Sequence, residues 1–188
     1  RHSDYFPAKP IQYLPQDMRD TLIKNALQGK SRSDAYLKFI VTELKPFIDS
    51  TYATYSDQAH TFIAGSSMGG LISMYAICEY PETFGGAACL STHWPGNMEI
   101  NNPAIPEAFV QYLQSHLPNP ANHKIYFDYG TATLDQYYEP FQLMVDEVMR
   151  EKQFNETQWR TMKFEGEEHS EVSWSKRLGV PIRFLMGR

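Results

Sequence analysis

The stretch that decides the fold is Thr61–Gly70, which reads TFIAGSSMGG. Its first four residues, TFIA, are typical of a buried strand, and the small residues after them predict a tight turn into a helix. GSSMG at positions 65–69 matches the G-x-S-x-G pattern of a nucleophile elbow, in which a strained serine stands between a strand and a helix. We therefore predict Ser67 as a nucleophile. The alternative is an ordinary strand-to-helix turn built of small residues.

The residues around Ser67 strengthen this interpretation. Leu71–Ile77 is apolar and predicts a helix directly after the turn. We expect both Gly65 and Gly69 to be required for steric reasons, because the serine backbone in such a turn is strained and neighbouring chains approach too closely for a Cβ atom.

Composition narrows the class of protein. With 188 residues, the chain is long enough for one domain with a substantial core, and its 42% hydrophobic and 21% charged residues are ordinary for a globular protein. A formal net charge of -5 gives no reason to expect nucleic acid or an anionic membrane as a partner. No apolar run is long enough to span a bilayer. The chain begins with Arg1 rather than Met, so we leave both a cytoplasmic and a periplasmic or secreted location open.

The two cysteines, Cys78 and Cys89, lie in apolar stretches and are predicted to be buried free thiols. No spacing of ligand residues typical of a metal site is present, and we expect no cofactor.

Strand and helix patterns alternate four times from Thr61 onward, which predicts a single α/β domain over residues 1–188 with a parallel sheet between layers of helices. Upstream, Arg1–Pro15 is predicted to be an irregular surface segment, and a helix beginning near Ser33 is expected to bend or divide at Pro46. The downstream strands are predicted at 84–91, 124–129 and 158–164, and the helices at 106–117, 137–153, 172–178 and 182–186.

Ligands of open parallel sheets bind beyond the carboxyl ends of the strands. The four loops at those ends carry, in chain order, Ser67, then His93 and Trp94, then Asp135, then His169. For His93 and Trp94 we weigh lining of a substrate pocket against structural packing at the base of their loop.

Acyl transfer by a serine needs a base that takes the hydroxyl proton and an acid that orients the base. The order Ser, Asp, His is the one expected for α/β-hydrolases, so we predict His169 as the base and Asp135 as the acid. Asp128 within the third strand and Glu139 at the start of the next helix stay open as alternatives for the acid. The N–H group that follows the nucleophile, that of Met68, is predicted to be one oxyanion donor.

Three stretches resemble the putative esterase family of α/β-hydrolases: AGSSMGGLISMYAICEYPETFGGAACLS at 64–91, FDYGTATLDQYYEPF at 127–141 and FEGEEHSEVSWSKRL at 164–178. That family includes esterase D-like enzymes, feruloyl and acetyl-xylan esterases, enterobactin-type siderophore esterases and mycolyltransferases. The resemblance implies Ser67 as nucleophile, His169 as base and an acid in a Gly-Thr loop. Relatives often carry the acid nearer to the Gly-Thr pair, where this chain has Thr133, two residues before Asp135.

The resemblance also implies several strands before the elbow strand, one of which completes the oxyanion hole. This sequence has no counterpart for them, so we expect a partial three-layer α/β-hydrolase domain, the C-terminal portion of a longer hydrolase. The strand Thr61–Ala64 would then have an unpaired edge. We expect that edge to be covered by a second copy of the chain, by a further segment, or by rearranged N-terminal residues.

The leading functional hypothesis is a serine carboxylic ester hydrolase that acts on a small-molecule or carbohydrate ester, of the carbohydrate, feruloyl or siderophore type, through an acyl-enzyme. One alternative is an acyltransferase of the same fold, which uses an alcohol in place of water. The other is an inactive hydrolase fragment or a binding module, because the sequence offers only one oxyanion donor.

Overall fold

The computed structural model describes residues 2–100 and 102–187. Its sheet has four parallel strands that lie in the order in which they occur in the chain. The strands are β1 Phe62–Ser66, β2 Gly86–Leu90, β3 Lys124–Gly130 and β4 Trp159–Phe164. The predicted parallel α/β sheet is thereby confirmed, with strand ends shifted by at most two residues.

Helices connect and precede the strands. They are α1 His2–Tyr5, α2 Gln16–Asn25, α3 Ser33–Phe39, α4 Lys45–Thr51, α5 Met68–Glu79, α6 Ala104–His116, α7 Glu139–Glu151, α8 Glu171–Arg177 and α9 Gly179–Met186. A π-helical turn, Ile40–Leu44, joins α3 to α4. Pro46 lies in the first turn of α4, directly after this π-helical turn, and the backbone stays helical through the junction. The predicted bend or division at Pro46 therefore stays a prediction. No helix within the described ranges has both the length and the apolar character needed to cross a membrane.

The two faces of the sheet carry separate cores, as the alternation of side chains along a strand requires. Ala87 and Cys89 of β2 belong to the core shared with α5, α6 and α7, and Ala88 and Leu90 belong to the core shared with α9. The sheet is therefore the middle of three layers, and the carboxyl ends of its strands meet at one edge.

Helix α5 is enclosed on all sides, because every residue from Met68 to Cys78 is buried. A helix that is apolar all round needs a cover on its outer side. The N-terminal segment contributes to that cover, with Phe6, Ile11 and Leu14 buried in the same core. The prediction of an irregular surface segment over Arg1–Pro15 is therefore wrong for its described residues, because its apolar side chains are held by this core in short helical turns.

Strand β1 lies at one end of the sheet and pairs with β2 only. The described residues before β1 form helices and turns, and none of them forms a strand beside it. Within the described residues, no N-terminal strand therefore pairs with this edge. Covering of the edge by a second copy, by a further segment or by rearranged N-terminal residues stays a prediction.

Candidate active site

The turn after β1 holds Ser67 in an unusual backbone conformation, with φ of 60° and ψ of -120°. A non-glycine residue with positive φ is strained and needs support from its surroundings. The Ser67 N–H donates to the carbonyl of Leu90 at 2.9 Å, and the Ser67 carbonyl accepts from the N–H groups of Gly70 at 2.9 Å and His93 at 3.2 Å. The bonds to Leu90 and His93 fasten the turn to the end of β2 and to the loop after it.

The two glycines of the turn differ in what they permit. A Cβ atom on Gly65 would lie 2.5 Å from the carbonyl oxygen of Gly69, so position 65 must be glycine. A Cβ atom on Gly69 would meet nothing within 4 Å. The expectation that both glycines are sterically required is therefore confirmed for Gly65 and wrong for Gly69. The Gly69 backbone leaves no room for a side chain at position 65, but position 69 itself has room for one.

The structure brings Ser67, His169 and Asp135 into one hydrogen-bonded row. The Nε2 atom of His169 lies 2.9 Å from Oγ of Ser67, and its Nδ1 atom lies 2.6 Å from Oδ1 of Asp135. Asp135 is fully buried, and the His169 side chain is 14% exposed. This geometry suits a nucleophile, a base and an acid, in that order.

The loops after β3 and β4 are joined by short polar contacts, which position Asp135 against His169. The hydroxyl group of Thr131 accepts from the Gly166 N–H at 2.7 Å, and that of Thr133 accepts from the His169 N–H at 2.8 Å. Thr133, which stands where relatives often carry the acid, thus holds the backbone of His169. Asp135 follows in the short 3-10 turn Thr133–Tyr137 and faces the imidazole ring.

The two alternative acids have other partners. Asp128 is fully buried and accepts from Arg177 at 2.9 Å. Burial raises the pKa of Asp128, and the neighbouring Arg177 opposes that rise. Glu139 accepts from the Tyr129 hydroxyl at 3.2 Å and from Lys163 at 3.1 Å. The structure thus places Asp135, and neither alternative, in hydrogen-bond contact with His169.

His93 lies inside the protein rather than in an open pocket, with 4% of its surface exposed. Its Nε2–H donates to the Asn97 carbonyl at 3.1 Å, and its Nδ1 accepts from the Tyr138 hydroxyl at 2.6 Å. Burial and the nearby His169 lower the pKa of His93 to about 4, so the ring is neutral at pH 7. The prediction of His93 as a substrate-binding residue is wrong, because both nitrogen atoms are occupied within the protein.

Trp94 is likewise part of the core, with 1% of its surface exposed. Its indole N–H donates to Gln142 at 2.9 Å, and its ring packs against Phe109 and Phe127. The prediction of Trp94 as a substrate-binding residue is also wrong. The sequence left two roles open for His93 and Trp94, lining of a substrate pocket and structural packing at the base of their loop. Both residues pack within the protein.

Met68 is the first residue of α5, so its N–H group has no acceptor within the helix. It stands at the positive end of the helix, next to Ser67, where an oxyanion would be stabilised. In the described residues β1 is the first strand, so the earlier loop expected to carry a second donor has no counterpart there. The same residues contain no cluster of three or more His, Cys, Asp or Glu side chains that could hold a metal ion.

Sequence reasoning missed a buried polar group behind Asp135, formed by Ser91, Trp174 and Arg177. The Ser91 hydroxyl lies 2.5 Å from Oδ2 of Asp135, 2.9 Å from Nε1 of Trp174 and 2.8 Å from a terminal nitrogen of Arg177. Trp174 and Arg177 are three positions apart on α8, the helix that follows His169. That spacing puts both side chains on one helix face and was the available signal.

Comparison with known proteins places these features in a family. The sequence profile of the family described as "Putative esterase" matches residues 12–181. A 100-residue stretch, 52% of this chain, is 32% identical to an endo-1,4-beta-xylanase/feruloyl esterase of Xylanibacter ruminicola and spans 14% of that protein.

Solved structures agree in fold. A ferulic acid esterase superposes with a TM-score of 0.62 at 21% identity, over 80% of this chain and 60% of that one. The enterobactin esterase of Shigella flexneri superposes with a TM-score of 0.63 at 18% identity, over 81% of this chain and 38% of that one. The chain thus spans less than two thirds of these relatives. Because the family profile covers most of its length, the chain belongs to the "Putative esterase" family.

Proposed function

We propose that this chain carries the catalytic residues of a serine carboxylic ester hydrolase, with Ser67 as nucleophile, His169 as base and Asp135 as acid. The observation that carries the proposal is the hydrogen-bonded row in which His169 meets Ser67 at 2.9 Å and the buried Asp135 at 2.6 Å. Membership of an esterase family supports the reaction class.

The proposed reaction uses these residues in the following order. Asp135 accepts the Nδ1–H of His169, which leaves the Nε2 lone pair free to take the Ser67 proton as Oγ attacks the ester carbonyl. The carbonyl oxygen gains negative charge next to the Met68 N–H at the start of α5. His169 then protonates the leaving alcohol, which leaves an acyl group on Ser67. A water molecule, deprotonated by His169, attacks that acyl group, releases the acid and restores the serine.

We further propose that the substrate is an ester of the carbohydrate, feruloyl or siderophore type. The proposal is supported by the proteins that the chain resembles. It is similar in sequence to a xylanase/feruloyl esterase, and similar in fold to a ferulic acid esterase and an enterobactin esterase. Assays of hydrolysis with esters of these three types test this part of the proposal.

A neighbouring serine provides a matched control for the test. Ser66 is the last residue of β1, directly before Ser67. We expect the chain to hydrolyse p-nitrophenyl acetate, Ser67→Ala to lower kcat by about 10³-fold or more, and Ser66→Ala to retain most of the activity. A fluorophosphonate probe should add its mass to the peptide that contains Ser67.

Two outcomes contradict the proposal. One is hydrolysis by Ser67→Ala at the rate of the unsubstituted chain. The other is a folded chain that neither hydrolyses the ester nor reacts with the probe, which favours the inactive fragment or binding module.

A further inference from the structure

We propose that Ser91, oriented by Trp174 and Arg177, is a positioning residue that keeps the Asp135 carboxylate directed at His169. The proposal deepens the function proposed above and rests on it. Ser91 follows β2, and neither it nor α8 belongs to the elbow pattern, so no motif assigns it a role.

The hydrogen-bonding capacity of Ser91 leaves one arrangement. A serine hydroxyl has one hydrogen to donate and two lone pairs that accept. The indole N–H of Trp174 and the guanidinium of Arg177 can only donate, and they lie 2.9 and 2.8 Å from Ser91 Oγ. Both lone pairs are therefore occupied, and the single hydrogen must point to Asp135 Oδ2 at 2.5 Å.

The two oxygen atoms of Asp135 consequently have different tasks. Oδ2 accepts from the Ser91 hydroxyl and from the Gly130 N–H at 2.6 Å. Oδ1 is left for the Nδ1–H of His169 at 2.6 Å. A carboxylate held by two donors at one oxygen cannot rotate without breaking both bonds, so its other oxygen stays in line with the imidazole ring.

Burial makes this arrangement hard to replace with water. Ser91 and Asp135 are fully buried, and the Arg177 side chain is 3% exposed. Ser91 itself has a φ of 41°, a strained value for a serine, and its N–H is bound to the Asp128 carbonyl at 2.8 Å. The chain thus turns sharply after β2 and presents the hydroxyl to Asp135.

Helix α8 couples the same contacts to the base. The Trp174 ring meets the His169 ring edge-on, with centroids 4.9 Å apart at 83°. Arg177 lies 3.8 Å from Asp135 Oδ2 and also binds Asp128, so one cation serves two buried carboxylates. The helix that follows His169 therefore contacts the base through Trp174 and the acid through Arg177.

Two measurements separate positioning of Asp135 from a general effect on stability. The first is whether a substitution changes kcat, KM or both, and the second is the proton NMR resonance of the His169 Nδ1–H. We expect Ser91→Ala to lower kcat about 10- to 100-fold, as for loss of a hydrogen bond to a charged group, with little change in KM. The downfield imidazole resonance, identified by its loss in His169→Gln, should shift or broaden in Ser91→Ala. Trp174→Phe, which keeps a ring but removes the N–H donor, should cause a smaller change of the same kind and serves if Ser91→Ala does not fold.

Ser175→Ala is the matched control, since this serine lies exposed on the same helix and bonds to Val172 of its own turn. It should leave both readouts unchanged. A folded Ser91→Ala chain with unchanged kcat and an unchanged imidazole resonance overturns the proposal, as does a loss of rate with an unchanged resonance. The NMR resonance can be observed without catalytic turnover. If the unsubstituted chain shows the resonance but hydrolyses no ester, the proposed function is contradicted. The effect of Ser91→Ala on the resonance still tests the positioning of Asp135.

Discussion

The backbone of Gly130 lies in direct contact with the carbonyl group of Glu167, and this contact joins the loop that carries Asp135 to the loop that carries His169. A Cβ atom on Gly130 would overlap that carbonyl oxygen and lie 3.1 Å from Asp135 Oδ2. The same carbonyl accepts from the N–H groups of Thr131 and Ala132, each at 3.1 Å. The approach of two loops from different strands therefore depends on the absence of one side chain.

Gly130→Ala should separate these loops. The new Cβ atom would meet the backbone carbonyl of Glu167, which cannot rotate away as a side chain can. We therefore expect a loss of about 1–3 kcal/mol in the free energy of unfolding and a loss of Ser67 labelling by a fluorophosphonate. Urea unfolding and probe labelling measure the two effects. Glu167→Ala keeps the carbonyl and removes only side-chain contacts, an ion pair with Lys176 and a hydrogen bond with Ser173, so it should change either quantity less than Gly130→Ala does. Equal behaviour of the two variants would contradict this account.

The two glycines of the elbow should respond in opposite directions. Gly65→Ala forces a Cβ atom against the Gly69 carbonyl and should destabilise the chain by about 1–3 kcal/mol. Gly69→Ala adds a methyl group in open space in the first turn of α5 and should be neutral or stabilise by up to about 1 kcal/mol. Urea unfolding of both variants measures the difference, and similar losses for the two would show that the contact at Gly65 is not decisive.

His93 should make stability fall on mild acidification. Its pKa is lowered from 6.5 to about 4 in the folded chain, so between these pH values the unfolded chain binds a proton that the folded chain excludes. The stabilisation is present above pH 6.5 and is lost as the pH falls towards 4. Linkage gives a loss of about 2 kcal/mol between pH 7.5 and pH 5 from this residue.

His93→Gln supplies the comparison, because an amide can both donate and accept but does not titrate. Urea unfolding at pH 7.5 and pH 5 should show a smaller loss for the variant than for the unsubstituted chain. Identical pH dependence of the two chains would mean that His93 is not the group responsible.

The open edge of β1 should make the 188-residue chain associate with itself, which is one of the three ways of covering this edge that we expected from the sequence. Unpaired strand edges favour pairing with another chain, and a cavity of about 480 Å³ lined by Ile40, Leu44, Ile48 and Phe62 lies beside this edge. We expect a concentration-dependent mass above that of a monomer in light scattering. Leu44→Lys should weaken the association, and Val172→Lys, at an exposed site on α8, should not. A monomer at all concentrations contradicts the prediction.

The sequence was informative about the site to different degrees. The loops of Ser67, Asp135 and His169 could be predicted, because each follows a strand and parallel strands end at one edge. The sequence favoured Asp135 as the acid by its place in the loop but left Asp128 and Glu139 open, because all three lie near the end of one strand and only side-chain direction separates them. Asp128 is directed to Arg177, which is distant in sequence.

By itself, the sequence determined the alternation of strands and helices, the parallel sheet and the tight turn at Ser67 between a strand and a helix, because periodicity and turn composition are local properties of the chain. Only the tertiary structure decided that His93 and Trp94 are buried, that the N-terminal segment covers α5, and that the Ser91 hydroxyl donates a hydrogen bond to Asp135. These outcomes depend on which groups meet across the fold. A hydrogen bond between residues 86 positions apart, as between Ser91 and Arg177, leaves no local pattern in the sequence.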